Sequence, residues 1–287
     1  MGTMVNASGR TTSLRGDGRS DIVARNYYTG QLLAFPHRGL LAGLDTYEAP
    51  VTVSDAFGPR SVEWLSVGDF TGDGRADILV VTVGDGCRLH RNTSDLARLT
   101  TTILAVDTGC DISHAAYHSI LLADVTGDGR VDIVGRRAGT GTVEVLLNGY
   151  ADGVFAFSAP RPLATLRNTD YIVGMADVTL NGRLDLVVSR AGGQLAVFEF
   201  APGGEDAAAF PAGAGQWYPV VDVAGGVRVV AVSDVDGDGR PDLLGIRADG
   251  ALIAYPHSGV FWPHEPLATF LPPVVVGLGW GEFDLIN

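Results

Sequence analysis

Oxygen-bearing side chains recur at alternate positions in the segment 124–132. They fill its first, third, fifth and ninth positions, as Asp124, Thr126, Asp128 and Asp132. Gly129, at the sixth position, permits a sharp bend that turns the next carbonyl, that of Arg130, towards the same centre. Because Ca²⁺ takes about six to eight hard oxygen ligands, this donor set predicts a calcium loop. It differs from an EF-hand loop, which closes with a glutamate where this chain has Gly135.

The same pattern recurs in three further segments, and a degraded copy lies near the N-terminus. The complete copies predict metal ligands at Asp69, Thr71, Asp73, Arg75 and Asp77, at Asp177, Thr179, Asn181, Arg183 and Asp185, and at Asp234, Asp236, Asp238, Arg240 and Asp242. The arginines enter these sets through their backbone carbonyls, as Arg130 does. In the degraded copy, Arg15 places a cation where an oxygen ligand belongs, between Ser13 and Asp17. We therefore expect that segment to bind calcium weakly or not at all.

The closing aspartates of the five loops define the period of the chain. They stand at positions 21, 77, 132, 185 and 242, which gives steps of 56, 55, 53 and 57 residues. Such a period is typical of repeated supersecondary units. Each unit is predicted to contain four short strands, for example Ser119–Ala123, Ile133–Arg136, Thr142–Leu147 and Val154–Phe157. A single four-stranded sheet cannot bury both of its faces, so the units are expected to stack as blades around an axis.

The repeated unit, Asp-x-Thr-Gly-Asp-Gly-x-x-Asp followed by Ile or Leu and Val, resembles the FG-GAP (VCBS) repeat. This is the calcium-loop repeat of integrin α-chain propellers and of many bacterial propellers. The resemblance implies an all-β fold, a β-propeller of four-stranded blades that forms a single domain over residues 1–287. It also implies Ca²⁺ as a structural cofactor at about four sites. It does not imply an activity, because one scaffold supports many unrelated functions.

The number of blades and the closure of the ring depend on the C-terminal segment. The predicted innermost strands are nearly continuous apolar runs, as expected of strands covered on both faces. They are Val62–Val67, Ser119–Ala123, Tyr171–Met175 and Val229–Val232. Residues 1–12 are polar, whereas 274–278 resembles 171–175, so we predict that 274–278 completes the first of five blades. In the alternative, 277–287 begins a sixth unit, because Phe283–Ile286 resembles the strand that follows each loop.

The net charge of −13 is explained by the predicted loops. At the four side-chain positions, the loops hold 14 of the 33 acidic residues, and the other 19 nearly balance the 20 basic ones. Such acidity argues against nucleic acid as a partner, because that binding needs cations against phosphates. All 20 basic residues are arginine, which excludes lysine Schiff-base chemistry and a P-loop. No apolar run reaches the roughly 18–20 residues that a membrane-spanning helix needs.

Location and redox state stay open. Residues 1–25 contain no apolar leader segment, so the chain is either intracellular or secreted with its leader removed. Cys87 and Cys110 either form a disulfide across neighbouring strands or remain free thiols. The oligomeric state is not indicated by any pattern.

The connections that enter the inner strands are predicted to gather at the mouth of the central channel, opposite the calcium loops. Histidine, arginine, carboxylate and aromatic side chains converge there, as a ligand pocket requires, although an ordinary polar rim has the same composition. The candidates are Arg60, Glu63, Trp64, His114, Tyr117, His118, Asp170, Tyr171, Arg228 and Trp280, with Tyr27 and Tyr28 from a neighbouring turn.

Two functions of different class fit these residues. The first is a ligand-binding module that recognises a carbohydrate or another small molecule. The second is a stand-alone enzyme of lyase, isomerase or cyclase type, with His114 or His118 as general acid or base. Tyr117 would then donate a proton, while Arg60 or Arg228 would hold a carboxylate or an enolate. Because no catalytic sequence motif is present, ligand binding is the leading interpretation.

Two equivalent third-strand ends share an alanine-aromatic-proline-histidine sequence, Ala34–His37 and Ala254–His257. Aromatic packing between blades and a pair of sugar-stacking sites both explain this sequence. Packing between blades is the favoured interpretation.

Overall fold

Twenty short β-strands make up the sheets in the part of the chain that the structure describes, and glycine turns join many of them. The computed structural model describes residues 12–55, 62–82, 86–92, 105–107, 112–113, 115–167, 169–201, 214–222 and 226–286. Three 3₁₀ turns, Gly43–Asp45, Pro266–Ala268 and Trp280–Glu282, are the helical segments within these ranges. None of the described segments is a helix long and apolar enough to cross a membrane.

The strands form five antiparallel sheets of four strands each. Blade one contains β1 (Ile22–Asn26), β2 (Leu32–Phe35), β3 (Val51–Ser54) and β20 (Phe283–Ile286). Blade two contains β4 (Val62–Gly68), β5 (Asp77–Thr82), β6 (Gly86–His90) and β7 (Ala105–Asp107). Blade three contains β8 (Tyr117–Ala123), β9 (Asp132–Arg137), β10 (Thr142–Leu146) and β11 (Arg161–Thr165). Blade four contains β12 (Tyr171–Ala176), β13 (Asp185–Ser189), β14 (Gln194–Phe200) and β15 (Gly215–Asp222). Blade five contains β16 (Arg228–Ser233), β17 (Asp242–Ile246), β18 (Leu252–Tyr255) and β19 (Val274–Gly277).

The blades are arranged in a ring with β20, β4, β8, β12 and β16 innermost, which confirms the predicted five-bladed all-β propeller. β4 contacts both β20 and β8, and β12 contacts both β8 and β16. In blades two to five, the aspartate-rich loop joins the inner strand of the sheet to the second strand, whereas in blade one the degraded loop leads into β1 and the inner strand β20 comes from the C-terminus. The starts of β4, β8, β12 and β16 lie at the face opposite these loops.

The ring is closed by a C-terminal strand, but the predicted segment was wrong. β20 pairs with β1, with Ile286 opposite Ala24, and so completes blade one from the inside. Val274–Gly277 is instead β19, the outermost strand of blade five, where Val275 pairs with Ile253. Its apolar sequence reflects cover from blade one, because β19 contacts the 3₁₀ turn Gly43–Asp45. Phe283–Ile286 is therefore the inner strand of blade one, where it closes the ring, and it does not begin a sixth unit.

A second correction concerns the outer strand of blade three. The predicted segment Val154–Phe157 forms only isolated bridges, from Val154 to Ala151 and from Phe157 to Asn148. Arg161–Thr165 is the fourth strand and pairs with β10.

Apolar side chains fill the spaces between neighbouring blades. Trp64 of blade two is 0% exposed and shares a cluster with Ile120 and Leu122 of blade three. Leu121, on the other face of β8, packs in a cluster with Ile172 of blade four. The inner strands are thus covered on both faces, and the alternation along β8 supplies the two interfaces of blade three.

Candidate calcium loops and channel mouth

The first aspartate of each complete loop is held by backbone N–H groups of the same loop. Asp124 accepts N–H donors from Gly127 at 2.7 Å and from Gly129 at 2.8 Å, one on each carboxylate oxygen. Asp69 and Asp234 are bound in the same way by the equivalent glycines of their loops. Gly127 and Gly129 have φ values of 74° and 85°, which glycine adopts without a steric cost. The loop therefore holds its first carboxylate in place without needing a metal to do so.

Carboxylates converge most closely in the loop of blade five. One oxygen each from Asp234, Asp236 and Asp242 lies within 4.8 Å of the others. Among the described residues, this is the one group of at least three acidic, histidine or cysteine side chains so arranged. A cluster of hard oxygen donors of this kind fits Ca²⁺ better than a softer metal.

The closing aspartates are buried beneath the loops, and burial controls their protonation. Asp242 is 0% exposed and accepts N–H donors from Val235 at 2.8 Å and from His257 at 2.7 Å. Burial raises the pKa of Asp242 and of Asp77 to about 7, and that of Asp132 to about 6, although these backbone bonds oppose the shift. A bound cation would favour the charged carboxylate, so the donor set fits a metal that offsets this burial.

Arginine side chains form ion pairs with the carboxylates at the fifth position of several loops. Arg130 forms an ion pair with Asp128 of its own loop, and Arg240 does the same with Asp238. Arg91 lies 3.8 Å from Asp73 in blade two. The carboxylate at position five therefore already has a cationic partner in blades two, three and five. A calcium ion bound there would have to replace the arginine as the partner of this carboxylate. The cost is small, because a surface ion pair contributes little stability in water.

The degraded loop of blade one keeps the fold of the others with different contacts. Arg15 turns outward and pairs with Glu48 through two hydrogen bonds of 2.9 Å each. Ser13, in the first position, bonds to Asp17 at 3.0 Å and accepts the N–H of Gly18 at 3.1 Å. The polar side chains of this loop thus already have hydrogen-bond partners within the protein. Weak or absent calcium binding stays a prediction.

A ring of side-chain donors joins the loops of neighbouring blades. Each donor follows the closing aspartate of its blade by 15 or 16 residues and bonds to a carbonyl in the preceding blade. Asn92 reaches Leu14 O at 2.8 Å, Asn148 reaches Phe70 O at 2.9 Å, His37 reaches Val235 O at 2.9 Å and His257 reaches Val178 O at 3.0 Å. We call His37, Asn92, Asn148 and His257 the inter-blade donors. His37 and His257, which end the two alanine-aromatic-proline-histidine sequences, therefore connect neighbouring blades. Both side chains are buried.

Blade four departs from this scheme in three ways. Phe200 occupies the donor position, and the buried Oδ1 of Asp185 has no hydrogen-bond partner among the described residues. The fourth loop position holds Leu180 with φ of 55°, where the other complete loops have glycine. Apolar packing takes the place of the missing link, because Phe200 and Val125 of blade three belong to one buried cluster.

The mouth of the channel opposite the loops is lined from the starts of the inner strands. The strand register shifts around Glu63 in β4, His118 in β8 and Asp284 in β20, which are β-bulges. In β12 and β16 the shift comes later, around Val173 and Val230. Bulges redirect side chains and occur often beside binding sites.

One side chain from each inner strand is presented at this mouth. Glu63, His118, Tyr171 and Arg228 each precede the first position of their loop by six residues, and each is the only residue of its strand that is not buried. Asp284 is the bulged residue of β20, next to Leu285, which lies opposite Arg25. We call Glu63, His118, Tyr171, Arg228 and Asp284 the mouth ring.

The charges of blades one and five meet within this ring. Arg25 is 3% exposed and forms an ion pair with Asp284, with Nε donating to Oδ1 at 3.1 Å. Arg228 is exposed, and its Nη2 donates to Phe283 O at 3.4 Å. The mouth ring thus combines two carboxylates, a guanidinium, an imidazole and a phenol around one opening.

Comparison with known families agrees with the loops and the blades. A sequence model of the FG-GAP-like repeat matches residues 14–80, 69–135 and 124–188, which together make up more than half of the chain. The protein belongs to the FG-GAP-like repeat family. No curated protein matches this FG-GAP-like chain.

Two solved structures resemble the FG-GAP-like chain only distantly. A 6-phosphogluconolactonase-like protein from Bacteroides fragilis is 15% identical, with a TM-score of 0.38 and coverage of 92% of this chain and 69% of that one. Human WBSCR16 is 12% identical, with a TM-score of 0.32 and coverage of 93% of this chain and 66% of that one. Likeness at this level carries no information about function.

The structure places Tyr117, a predicted proton donor, inside the FG-GAP-like fold. It is 3% exposed, and its hydroxyl donates to Glu144 Oε1 at 2.6 Å. Its ring covers Gly135, where an added Cβ would lie 2.5 Å from it, and Arg137 stacks on the ring at 5.1 Å. These contacts are those of a packing residue.

Three further pocket candidates are also buried. Trp64, Asp170 and Trp280 are 0%, 4% and 4% exposed. Trp280 packs against Phe35 at 4.6 Å between ring centroids, at the closure of the ring. Tyr28 is 70% exposed on the turn after β1, outside the mouth ring, and Tyr27 packs edge-to-face against it at 5.3 Å. Arg60, His114, Cys110 and the side chain of Cys87 lie outside the described residues.

Sequence reasoning missed Arg25, Asp284 and the inter-blade donors. The sequence does contain a signal for Arg25, because it is a charged residue within the otherwise buried strand Ile22–Asn26. A buried guanidinium needs a partner of opposite charge, so its position predicts a nearby carboxylate. The inter-blade donors recur at constant distance from the closing aspartates, which is a periodic signal of the same kind as the loops.

Proposed function

We propose that this FG-GAP-like propeller binds a small molecule at its channel mouth and that calcium stabilises the loops at the opposite face. The observation that supports ligand binding is the mouth ring. Four inner strands, otherwise buried, each present one polar or aromatic side chain near the start of the strand, and β20 adds the half-buried Asp284. A few polar groups that converge on a concave opening are what a small-molecule site needs to orient its ligand.

Calcium supports the scaffold in this proposal and takes no part in ligand recognition. The predicted ligands lie where each inner strand turns back into the second strand, away from the mouth. A bound ion would supply positive charge to the buried closing aspartates, and Asp234, Asp236 and Asp242 would hold it in blade five. The oxygen donors of the other complete loops would do the same.

A ligand screen with mouth variants tests the proposal. Thermal shift against sugars and small organic molecules at millimolar concentration is expected to yield compounds that raise the melting temperature. The variants Tyr171→Ala and His118→Ala should lose this shift while melting normally without ligand, because both side chains are exposed. Gln216→Ala, on the outer strand of blade four, is the matched control. A panel without any binder, or shifts that persist in both variants, would refute ligand binding at the mouth.

One observation favours an enzyme as the second candidate. His118 is exposed within the mouth ring, between the blades that carry Glu63 and Tyr171. An imidazole titrates near neutral pH and serves as general acid or base. Tyr171, at 56% exposed, is the phenol presented beside it, whereas Tyr117 is bound to Glu144. If a ligand found in the screen is unchanged after prolonged incubation, as followed by NMR, the binding function stands and the enzyme does not.

A further inference from the structure

We propose that the molecule bound at the mouth carries a carboxylate and that Arg228 binds this group. The inference rests on the proposed ligand-binding function and specifies its chemical class. It depends on which charges of the mouth are already paired within the protein.

The carboxylate of Asp284 is paired by the fold itself. Arg25 donates to both of its oxygens, and the two side chains are 3% and 13% exposed. An arginine and a carboxylate bound through two parallel hydrogen bonds form a strong, oriented pair. The charge of Asp284 acts on Arg228 through space, but the side-chain hydrogen bond of Arg228 goes to Phe283 O and not to Asp284. The pair of Arg25 and Asp284 also shows that a carboxylate fits this part of the mouth.

Arg228 has no equivalent partner in the part of the chain that the structure describes. Its one hydrogen bond goes to the neutral carbonyl of Phe283 at 3.4 Å, and it forms no ion pair within 4.0 Å. The guanidinium is exposed at the mouth and keeps most of its five N–H donors for another molecule. Beside it, Nη1 of the buried Arg25 also has no hydrogen-bond partner among the described residues. Two guanidiniums thus lie around one carboxylate.

Blade three contains a second arginine that forms no ion pair among the described residues. Arg136 holds the place in β9 that Arg25 holds in β1, and it lies opposite the bulge of His118 and Ser119. It is 1% exposed, its Nη2 donates to Arg167 O at 2.9 Å, and its Nε has no partner in the described ranges. A buried cation without a carboxylate makes the neighbourhood of the mouth more favourable for an anion.

The other charges of the mouth limit the anion to a single negative charge. Glu63 is half-buried in the ring, and Glu282 lies at the adjacent turn, where it contacts Asn26 at 3.4 Å. A phosphate, with nearly two negative charges, would be repelled by these groups and by Asp284 more strongly than a carboxylate. Tyr171, on the blade next to Arg228, offers an exposed ring on which the body of such an acid can lie.

Matched pairs of acids and neutral analogues test this inference. The probes are glucuronate with glucose, phenylacetate with phenylacetamide, and inorganic phosphate, measured by calorimetry and thermal shift. We expect the acid of at least one pair to bind at least tenfold more tightly than its neutral partner. In Arg228→Gln that affinity should fall about 10- to 100-fold, as expected for one charge-assisted contact. Arg247→Gln, an exposed arginine of the same face that pairs with Asp249, should bind as the wild type does.

The outcomes separate the class of ligand from the existence of a site. Neutral members that bind as tightly as the acids, with loss only in Tyr171→Ala, would overturn the carboxylate and leave the mouth as a binding site. Preference for phosphate would also overturn it. An unchanged affinity of the acid in Arg228→Gln would overturn the role of Arg228. If no probe of either kind and no compound of the wider screen binds, the proposed function fails and this inference with it.

Discussion

Replacement of Asn148 by alanine tests whether the inter-blade donors hold the ring together. The side chain is 6% exposed, and its Nδ2 donates to Phe70 O of blade two at 2.9 Å and to Val131 O of its own loop at 3.0 Å. Alanine removes both bonds, leaves two carbonyls without this donor, and also removes the Oδ1 that accepts the N–H of Tyr150 at 2.9 Å. A hydrogen bond contributes about 1 kcal/mol net, and an unsatisfied buried acceptor costs about 1–3 kcal/mol. We therefore expect the free energy of unfolding to fall by about 2–4 kcal/mol.

Histidine at the same position separates the two bonds. His257 makes the link to the neighbouring blade in blade five, at 3.0 Å from Val178 O, and its other ring nitrogen accepts the N–H of Gly259. Asn148→His should keep the bond to Phe70 O and lose the bond within its own loop. The expected loss is about 1 kcal/mol.

Guanidinium unfolding, followed by tryptophan fluorescence and far-UV circular dichroism in calcium-containing buffer, measures these changes. Gln216→Ala, on the exposed edge of blade four, should stay within about 0.5 kcal/mol of the wild type. If Asn148→Ala does the same, the inter-blade donors do not stabilise the ring. If Asn148→His loses as much as Asn148→Ala, the bond to the neighbouring blade is not the important one.

Four further predictions concern calcium, protonation, backbone strain and closure. A chelator should lower the melting temperature, because an ion bound only to the folded chain stabilises it by about 4 kcal/mol at a thousandfold excess over Kd. By calorimetry, Asp238→Ala should reduce the number of calcium ions bound and Asp17→Ala should not; equal effects would contradict the ranking of the two loops. Burial lowers the pKa of His37 and His257 below 6.5, so the unfolded chain takes up their protons first and the stability they contribute is lost as the pH falls below that value. Replacing both by asparagine should therefore raise the melting temperature relative to the wild type on going from pH 7 to pH 5, and a constant difference would show that the pKa of the histidines is the same in the folded and the unfolded chain. Leu180→Gly should raise stability by about 1 kcal/mol by removing a left-handed leucine, and a lower melting temperature would show that its side chain matters more than its φ. Deletion of β20 should abolish cooperative unfolding of the ring, and an unchanged melt would show that closure contributes nothing.

The fold followed from the sequence because the loops mark one fixed point in every blade. In blades two to five the loop joins the buried inner strand to the next strand, so the closing aspartates locate strands one and two of these blades without any long-range information. The period then sets the number of units. Four of the five inner strands were placed correctly for this reason, including β8 and β12.

The closing strand was misplaced because an apolar sequence does not identify an inner strand: an outer strand covered by another blade is apolar too. Val274–Gly277 is apolar like an inner strand, but a turn from blade one covers it. Such cover comes from a segment more than 200 residues away in sequence, and no local pattern records it. The short segment Phe283–Ile286 carries the charge of Asp284, which makes it look less like an inner strand than it is.

The channel mouth was predicted as a region, and its individual residues were harder to assign. Which face a strand residue occupies depends on register, and one extra residue at a bulge reverses the assignment. Trp64 and Tyr117 flank bulges and point into the blade interfaces, whereas Glu63 and His118 lie at the opening. Bulges have no reliable local sequence signal, so the structure was needed to separate the two groups.

The closure of blade one also has a consequence for how the chain folds. The bond between Arg25 and Asp284 joins residues 259 positions apart, whereas strands within the other blades pair with sequence neighbours. Pairing across such a separation carries the largest loop-closure entropy and forms slowly. Blades two to five can form while β1 still has a free inner edge. Docking of β20 is therefore expected to be the last step, and its rate sets how long an unpaired strand is available to other chains.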